Sequence, residues 1–562
     1  MRASAGAWAT ALLLSSLAYA GLATGPLWRD PEGLLPANAD VYLKSWAVAW
    51  VAHQLPRDPG RLFDANMFFP HTKSLLYDDG ALPLGMLALP VRALGGSVAL
   101  SFNLLLLISF PLAALGGFAL ARDLGASRAG AFLAGFSFGF GTYAWDHIVH
   151  LHSLWVAWLP LGLVFLRRTL DEGGLGNAAG LLLTTALQAL TSGYYAMLMA
   201  VAVGLVLAVE LWTRRNPRRL LLLAGALAGG MAVAAPELLA RREVVARHGF
   251  SRRVDEAEHW SAGPKSYLDP GPYRPLLHTR LLHRAFAHRE PLFPGSVVLV
   301  LAAFGLLGMK DGRRVRLLAL LCGAGVLLSF GPVWRLGSYS SPGPFAVLRA
   351  LPGGELLRTP SRFGVLALLS LGVLAGLGWT RVSSGWSYRR RALAGAALLA
   401  FAALESFPFG LQGLFRPAPA FPPAAQWLRT APPGAVLELP WRGENEAAQY
   451  LYWSTAHWQP LVNGYASFEP PGLLELGRLG ERWPNAYIAK HFRAAGIRYV
   501  VVHTDRLGMD ERRRLAAVLD LPEGVALRAE LGADRIYEID PAGPLPREIE
   551  KGPPPRGGPS PG

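Results

Sequence analysis

The chain has 562 residues, of which 52% are hydrophobic and only 17% charged, with a mean hydropathy of +0.28; soluble domains carry about 25% charge, so a soluble protein is excluded. The formal charge of +15 raises the question of nucleic acid, but the arginines sit in short segments between apolar runs, the positive-inside pattern of a membrane protein and not a basic groove. The single cysteine, Cys322, precludes an intrachain disulfide.

Residues 7–27 form an apolar span behind Arg2. Leu17-Ala18-Tyr19-Ala20 resembles a signal-peptidase site, but the apolar run continues to Leu27, so an uncleaved anchor is expected. A polar stretch from Asn38 to Asp79 follows, rich in Asp, His, Asn and aromatic residues. Within it, Val41–Leu55 places Leu43, Trp46, Ala47 and Trp50 on one helical face, with Lys44 and Ser45 off it. Such a helix reaches about 20 Å, short of a hydrocarbon core of about 30 Å, which predicts a helix lying along the interface. Residues 81–94, interrupted by Pro83 and Pro90, predict a second interfacial segment.

Further spans are predicted at 97–121, 129–145, 153–166, 177–191, 194–212, 219–240, 293–309, 315–332, 361–380 and 391–410. With the first, the chain is a polytopic α-helical membrane protein of about eleven transmembrane helices. Every second loop is basic: Arg122 and Arg128, Arg167 and Arg168, Arg214 to Arg219, Lys310 to Arg316, then Arg381 and Arg389 to Arg391. These loops share the side of the N-terminus, which is therefore expected to be cytoplasmic. The opposite side receives the Asp40 loop, the turns 146–152 and 191–195, and the loops 241–292 and 333–360.

From about residue 415 the pattern becomes that of a soluble α/β domain. Helices are predicted at 426–430, 489–495 and 511–519, and strands at 436–439, 497–503, 526–531 and 535–539. An odd span count places this domain outside the cytoplasm. The expected organisation is thus a membrane domain, 1–414, with a large first extracytoplasmic loop, 28–96, then an extracytoplasmic α/β domain, 415–540, and a disordered Pro/Gly-rich tail, 541–562.

The polar residues that stand out gather on one side of the membrane. Asp40, between a span and a short helix, sits at a depth where a carboxylate is partly desolvated and able to act as a base; alternatively it caps the helix that begins at Val41. Asp78 and Asp79 offer carboxylate oxygens for a divalent cation or a sugar hydroxyl, or form a solvated turn before Gly80. Asp146, His147, His150 and His152 lie between two spans, with His147 and His150 at a spacing that suits one helical face, for a metal, a phosphate or simple capping. Arg358 and Arg362 stand where the loop 333–360 enters the next span, as forks for a lipid phosphate or as snorkelling anchors. Glu237 and Glu405 are intramembrane carboxylates, which by default line a cavity. No Gly-rich phosphate loop, nucleophile elbow or CxxC is present, which excludes the usual soluble nucleotide-dependent enzymes.

The order of parts resembles the GT-C superfamily of multi-span glycosyltransferases, and within it the bacterial branch related to the YfhO group. The stretches that carry the resemblance are W-V-A-H-Q-L-P, L-F-D-A-N-M-F-F-P and L-L-Y-D-D in the first loop, H-L-H-S-L-W-V-A-W-L-P-L and L-R-T-P-S-R-F-G in the membrane domain, and Y-W-S-T-A-H-W-Q-P-L-V-N-G-Y with G-I-R-Y-V-V-V-H in the soluble domain. The resemblance implies a multi-pass protein of the bacterial cytoplasmic membrane. It further implies transfer of a sugar from a polyprenyl-phosphate-linked donor to an extracytoplasmic acceptor, which is a glycan, a lipid or a protein. The family's acidic base in the first loop maps onto Asp40. Relatives carry D-x-D or D-E in that loop where this chain has A-D-V, so the metal stays unknown, a divalent cation remains open and no other cofactor is implied. Substrate contacts are expected from Arg358, Arg362, His150, His152, Asp78, Asp79 and Asp146. Two other readings stand beside this one: a transporter or flippase of lipid-linked sugars, which would need more interior polar groups than Asn103, Gln188, Glu237 and Glu405, and a non-catalytic membrane scaffold.

Overall fold

The computed structural model describes residues 5–210, 216–274, 276–308, 312–336, 338–518 and 520–540. Arg214, Arg215, Lys310 and the tail 541–562, expected to be disordered, lie outside the described residues. The chain divides into two compact units, one of Met1–Pro56 with Asp79–Ala418 and one of Arg57–Asp78 with Pro419–Gly562.

The first unit is helical. Its principal helices are α1 (Ala5–Ala23), α2 (Ala39–Gln54), α3 (Leu82–Ala93), α4 (Val98–Asp123), α5 (Arg128–Phe140), α6 (Trp158–Asp171), α7 (Leu175–Thr191), α8 (Gly193–Glu210), α9 (Pro217–His248), α10 (Ser296–Gly308), α11 (Gly312–Ser329), α12 (Gly364–Val382) and α13 (Tyr388–Ser406). Among the described residues, five helical segments are long and apolar enough to cross a membrane: 5–23, 98–123, 217–248, 360–382 and 388–414. Shorter apolar helices at 82–93, 193–209 and 296–307 accompany them.

Capping fixes where the helices start. Ser97 accepts the N–H of Leu100 ahead of α4, and Ser127 accepts that of Gly130 ahead of α5. Glycines then let backbones approach, as membrane helices without a hydrophobic driving force require. A Cβ on Gly376 of α12 would collide with the carbonyl of Gly130 in α5, and one on Gly378 with the carbonyl of Leu301 in α10.

Three expectations are corrected. Helix α2 does not turn a polar face to solvent: Lys44 is 2% exposed and Ser45 not at all, as buried as Trp46 on the apolar face, because α3 and α4 pack around it. The run 153–166 is not one span, since a four-residue turn at Leu151–Leu154 precedes α6. Helix α5 stops at Phe140, where Gly141 turns extended, and the polar turn begins there instead of after residue 145. Two further boundaries also move. Helix α9 runs on to His248, so Arg241 and Arg242 are helical and not part of a loop, and α3 bends around an internal Pro90.

The second unit carries a four-stranded sheet of β1 (Ala435–Leu439), β2 (Ile497–His503), β3 (Val525–Leu531) and β4 (Asp534–Ile539) in the order β1-β2-β4-β3. β1 and β2 run parallel, pairing Leu437 with Val500, while β4 is antiparallel to both β2 and β3. All five residues of β1 are buried, the carboxylate of Glu438 among them. Two helices without a sequence expectation, Glu444–Ser454 and Leu473–Gly480, join those at Pro423–Thr430, Ala486–Ala494 and Met509–Ala516. Segment 57–78 belongs to this unit by backbone pairing: Phe69 donates to Leu461, Leu461 to Asn66, and Phe468 to Tyr77.

Candidate active site

Asp40 is not a helix cap. The side chain of Asn38 takes that role, accepting the Asp40 N–H at 2.8 Å, so Asp40 stands within the first turn of α2. Its Oδ2 lies 3.1 Å from Nε2 of His150, and about 29% of each side chain remains exposed, so both are open to a substrate. One turn further along α2, on the same face, comes Lys44. Its buried Nζ donates to the carbonyl of Asp79 at 2.7 Å.

His150 belongs to a turn between α5 and α6 that is seated on a cluster of aromatic rings. Trp145 packs 4.6 Å from Phe110 and 6.0 Å from Phe140, and Tyr19 closes on Phe140 at 5.0 Å. Short helices at Thr142–Asp146 and Leu151–Leu154 flank a break, so the spacing of His147 and His150 is not helical, contrary to expectation. The rings instead follow one another along the turn. His147 stacks on Tyr143 at 3.9 Å, His150 follows at 5.5 Å from His147, and His152 at 6.3 Å from His150. Burial together with the Lys44 and Arg362 cations holds His152 well below the usual imidazole range, and burial does the same for His147. Both rings are therefore neutral near pH 7. Nδ1 of His150 and Nδ1 of His152 are buried with no protein partner, which leaves hydrogen-bonding capacity for a ligand or water.

Arg362 meets the far end of this turn. It sits in the 3₁₀ turn Pro360–Phe363, only 7% exposed, with Nη1 3.5 Å from Nε2 of His152 and its guanidinium 4.8 Å above the ring of Tyr194. That burial is incompatible with a snorkelling anchor. The Tyr194 hydroxyl accepts the backbone N–H groups of Arg358 and Thr359, which ties the start of α8 to the loop ahead of α12. Arg358 itself turns elsewhere, 3.7 Å from Glu256 and 5.9 Å from the centre of the Trp260 ring.

The two adjacent aspartates serve different places. Asp78 belongs to the second unit and accepts from Ser467 Oγ at 2.6 Å. Asp79 accepts from Ser192 Oγ at 2.7 Å and from the N–H of Gly193 at 3.2 Å, with Oδ2 4.0 Å from His152 Nε2. They do not act as one cation-binding pair. Asp146 lies 3.9 Å from His147, and burial with the nearby Glu290 and Asp269, opposed by Arg274, pushes its carboxyl up to about 7. Asp40, His150, His152, Arg362 and Asp79 thus form one polar strip, with Asp146 beside it and the Arg358 side chain turned to Glu256.

Lys44, Ser192 and Tyr194 were not singled out by sequence reasoning. The available signal was S-G-Y-Y at a helix break and a lysine within an otherwise apolar helix. Three of the four intramembrane polar residues have partners, while both amide atoms of the buried Gln188 have none in the protein. Asn103 donates to the carbonyls of Pro31 and Leu34, Glu405 accepts from the Ser296 N–H and meets His278 at 2.7 Å, and Glu237 pairs with Arg241 at 2.9 Å. Among the described residues, no three His, Cys, Asp or Glu side chains converge as metal ligands.

No protein-family model and no curated protein matches the chain. Solved structures do. Arabinofuranosyltransferase AftD from Mycobacteria aligns over 94% of this chain at a TM-score of 0.58 and 14% identity. The fold is the GT-C fold. The chain spans 41% of the length of AftD. The oligosaccharyltransferase AglB from Archaeoglobus fulgidus, solved with an inhibitory peptide and a dolichol-phosphate, aligns over 89% of this chain and 69% of its own, with a TM-score of 0.50 and 12% identity. ArnT from Cupriavidus metallidurans aligns over 95% of this chain and 98% of its own, with a TM-score of 0.48 and 13% identity. The likeness to AftD and AglB is one of fold.

Proposed function

We propose that the protein is an inverting glycosyltransferase that moves a sugar from a polyprenyl-phosphate-linked donor to an acceptor outside the cytoplasm. The observation that carries this reading is the continuity of the polar strip: a carboxylate at Asp40 and a buried guanidinium at Arg362 stand at opposite ends of one histidine turn. Glycosyl transfer needs such a pair. The acceptor hydroxyl becomes more acidic as it attacks the anomeric carbon, and Asp40 takes its proton, a contribution of typically 10²- to 10⁴-fold. The bond from the anomeric carbon to the phosphate oxygen breaks, and the departing polyprenyl phosphate keeps the electron pair. Its charge develops where Arg362 and Lys44 supply fixed positive groups in a buried setting. His150 orients the Asp40 carboxylate, and the neutral His152 separates the base from the phosphate site. A single displacement inverts the anomeric centre.

In this reading about eleven spans place the Asp40 strip and the C-terminal domain outside the cytoplasmic membrane, and the donor enters from the lipid.

The test is profiling of lipids and envelope glycans in a deletion strain complemented with wild-type protein or Asp40→Asn. The wild type should restore the missing glycan with inverted configuration, while Asp40→Asn should bind polyprenyl phosphate normally and let the sugar-loaded donor accumulate. Normal product from Asp40→Asn, or a product that retains the donor configuration, refutes the single-base mechanism.

A further inference from the structure

At the end of the bundle that carries the basic loops, the first turns of α13 line a groove. The other end of the helix is fastened: the Tyr19 hydroxyl donates to the Ala403 carbonyl at 2.6 Å, Arg274 to that of Ser406 at 2.8 Å, and Glu405 meets His278. Between Tyr388 and Leu399 the ties run to the preceding turn, through Arg391, and a groove of about 320 Å³ opens between α13 and the helices α1, α5 and α12. Trp8, Phe132 and Trp379 wall the groove on one side, and Tyr388, Gly395 and Ala396 on the other.

Close-packed interiors do not leave gaps of this size empty, so within a bilayer an apolar chain fills it. Two features go beyond an apolar slot. The Nε1–H of Trp379, a residue 2% exposed, is buried with no acceptor from the protein, which costs free energy unless an occupant supplies one. Arg391 lines the groove, and Arg390 precedes it in the chain. Arg391 is fixed there by donating to the carbonyls of Ser383, Ser384 and Trp386, and Arg390 by lying 4.3 Å over the Trp386 ring. Apolar slot, buried donor and fixed cations match, in order, an acyl chain, an ester carbonyl and a phosphate.

We propose that this groove binds one anionic glycerophospholipid, which packs the near end of α13 against the bundle. Charge complementarity selects the anionic headgroup, since juxtamembrane arginines attract anionic lipid. The site is independent of the sugar-transfer reading.

Native mass spectrometry of the full-length protein, titrated with phosphatidylglycerol and separately with phosphatidylcholine, tests it. The wild type should keep one phosphatidylglycerol with at least tenfold preference over phosphatidylcholine. Ala396→Trp, which fills the slot, should abolish that adduct. Arg391→Gln, which leaves the slot open, should reduce the preference to below threefold. If Ala396→Trp does not fold, Ala392→Leu fills the same slot with a smaller side chain. Equal retention of the two lipids by the wild type overturns the proposal, as does an adduct unchanged in the filled variant. Displacement of phosphatidylglycerol from this groove by polyprenyl phosphate overturns it in favour of donor binding.

Discussion

In the C-terminal unit, the buried ion triad makes stability depend on alkaline pH. His503, 2% exposed, ends β2 with Nδ1 2.7 Å from Asp534 Oδ1 and Nε2 2.9 Å from Glu438 Oε2, so one imidazolium ties β1 to β4. Burial works against its charge, but the two carboxylates outweigh burial and push His503 up to about 9. An unfolded histidine titrates near 6.5. A group whose pKa is raised on folding contributes its stability in full below 6.5 and loses it as pH rises through about 9. At about 1.4 kcal/mol per pH unit, that interval corresponds to about 3 kcal/mol. Native-state proteolysis of the full-length protein by subtilisin, normalised to an unfolded peptide containing the same sites, reads the opening free energy of this unit. Between pH 6.5 and 10 normalised cleavage should rise about a hundredfold. His503→Gln, which cannot carry the charge, should be less stable at pH 6.5 and show no such rise. Cleavage that is flat or falls with pH in the wild type refutes the reasoning.

Arg362→Gln should weaken polyprenyl phosphate binding about ten- to a hundredfold, the worth of a charge-assisted contact, with Arg362→Lys intermediate because it keeps the charge and loses the fork; binding of the phosphate alone, measured by native mass spectrometry, checks this. Tyr194→Phe removes the acceptor of two backbone N–H groups and should cost about 1–3 kcal/mol, seen as a lowered Tm. The Asp146 carboxyl, with its pKa near 7, gains negative charge as pH rises through that value, so affinity for polyprenyl phosphate should fall severalfold between pH 6 and 8 in the wild type and stay level in Asp146→Asn. A reporter fused near residue 420 should behave as extracytoplasmic; a cytoplasmic signal reverses the orientation on which the proposed function depends.

The GT-C type of fold and most helix positions were legible in the sequence because apolar runs and basic loops are local signals: Val98–Asp123 reads as a span from its own residues. The strand Ile497–His503 was equally legible, since a run of buried β-branched residues needs no partner to be recognised. Asp40, His150, His152 and Arg362 were nameable as polar residues on one side of the membrane. That they form one strip, and that Arg358 and Asp78 turn to Glu256 and Ser467, depends on contacts between residues far apart in the chain. Helix α2 shows the same limit. Its periodicity suggested a surface, but whether the face bearing Lys44 meets water, lipid or protein is decided by what packs on it, and the neighbours that bury Lys44 are about forty residues or more further along. Periodicity records only what one element exposes, while burial and charge pairing belong to the elements that meet it.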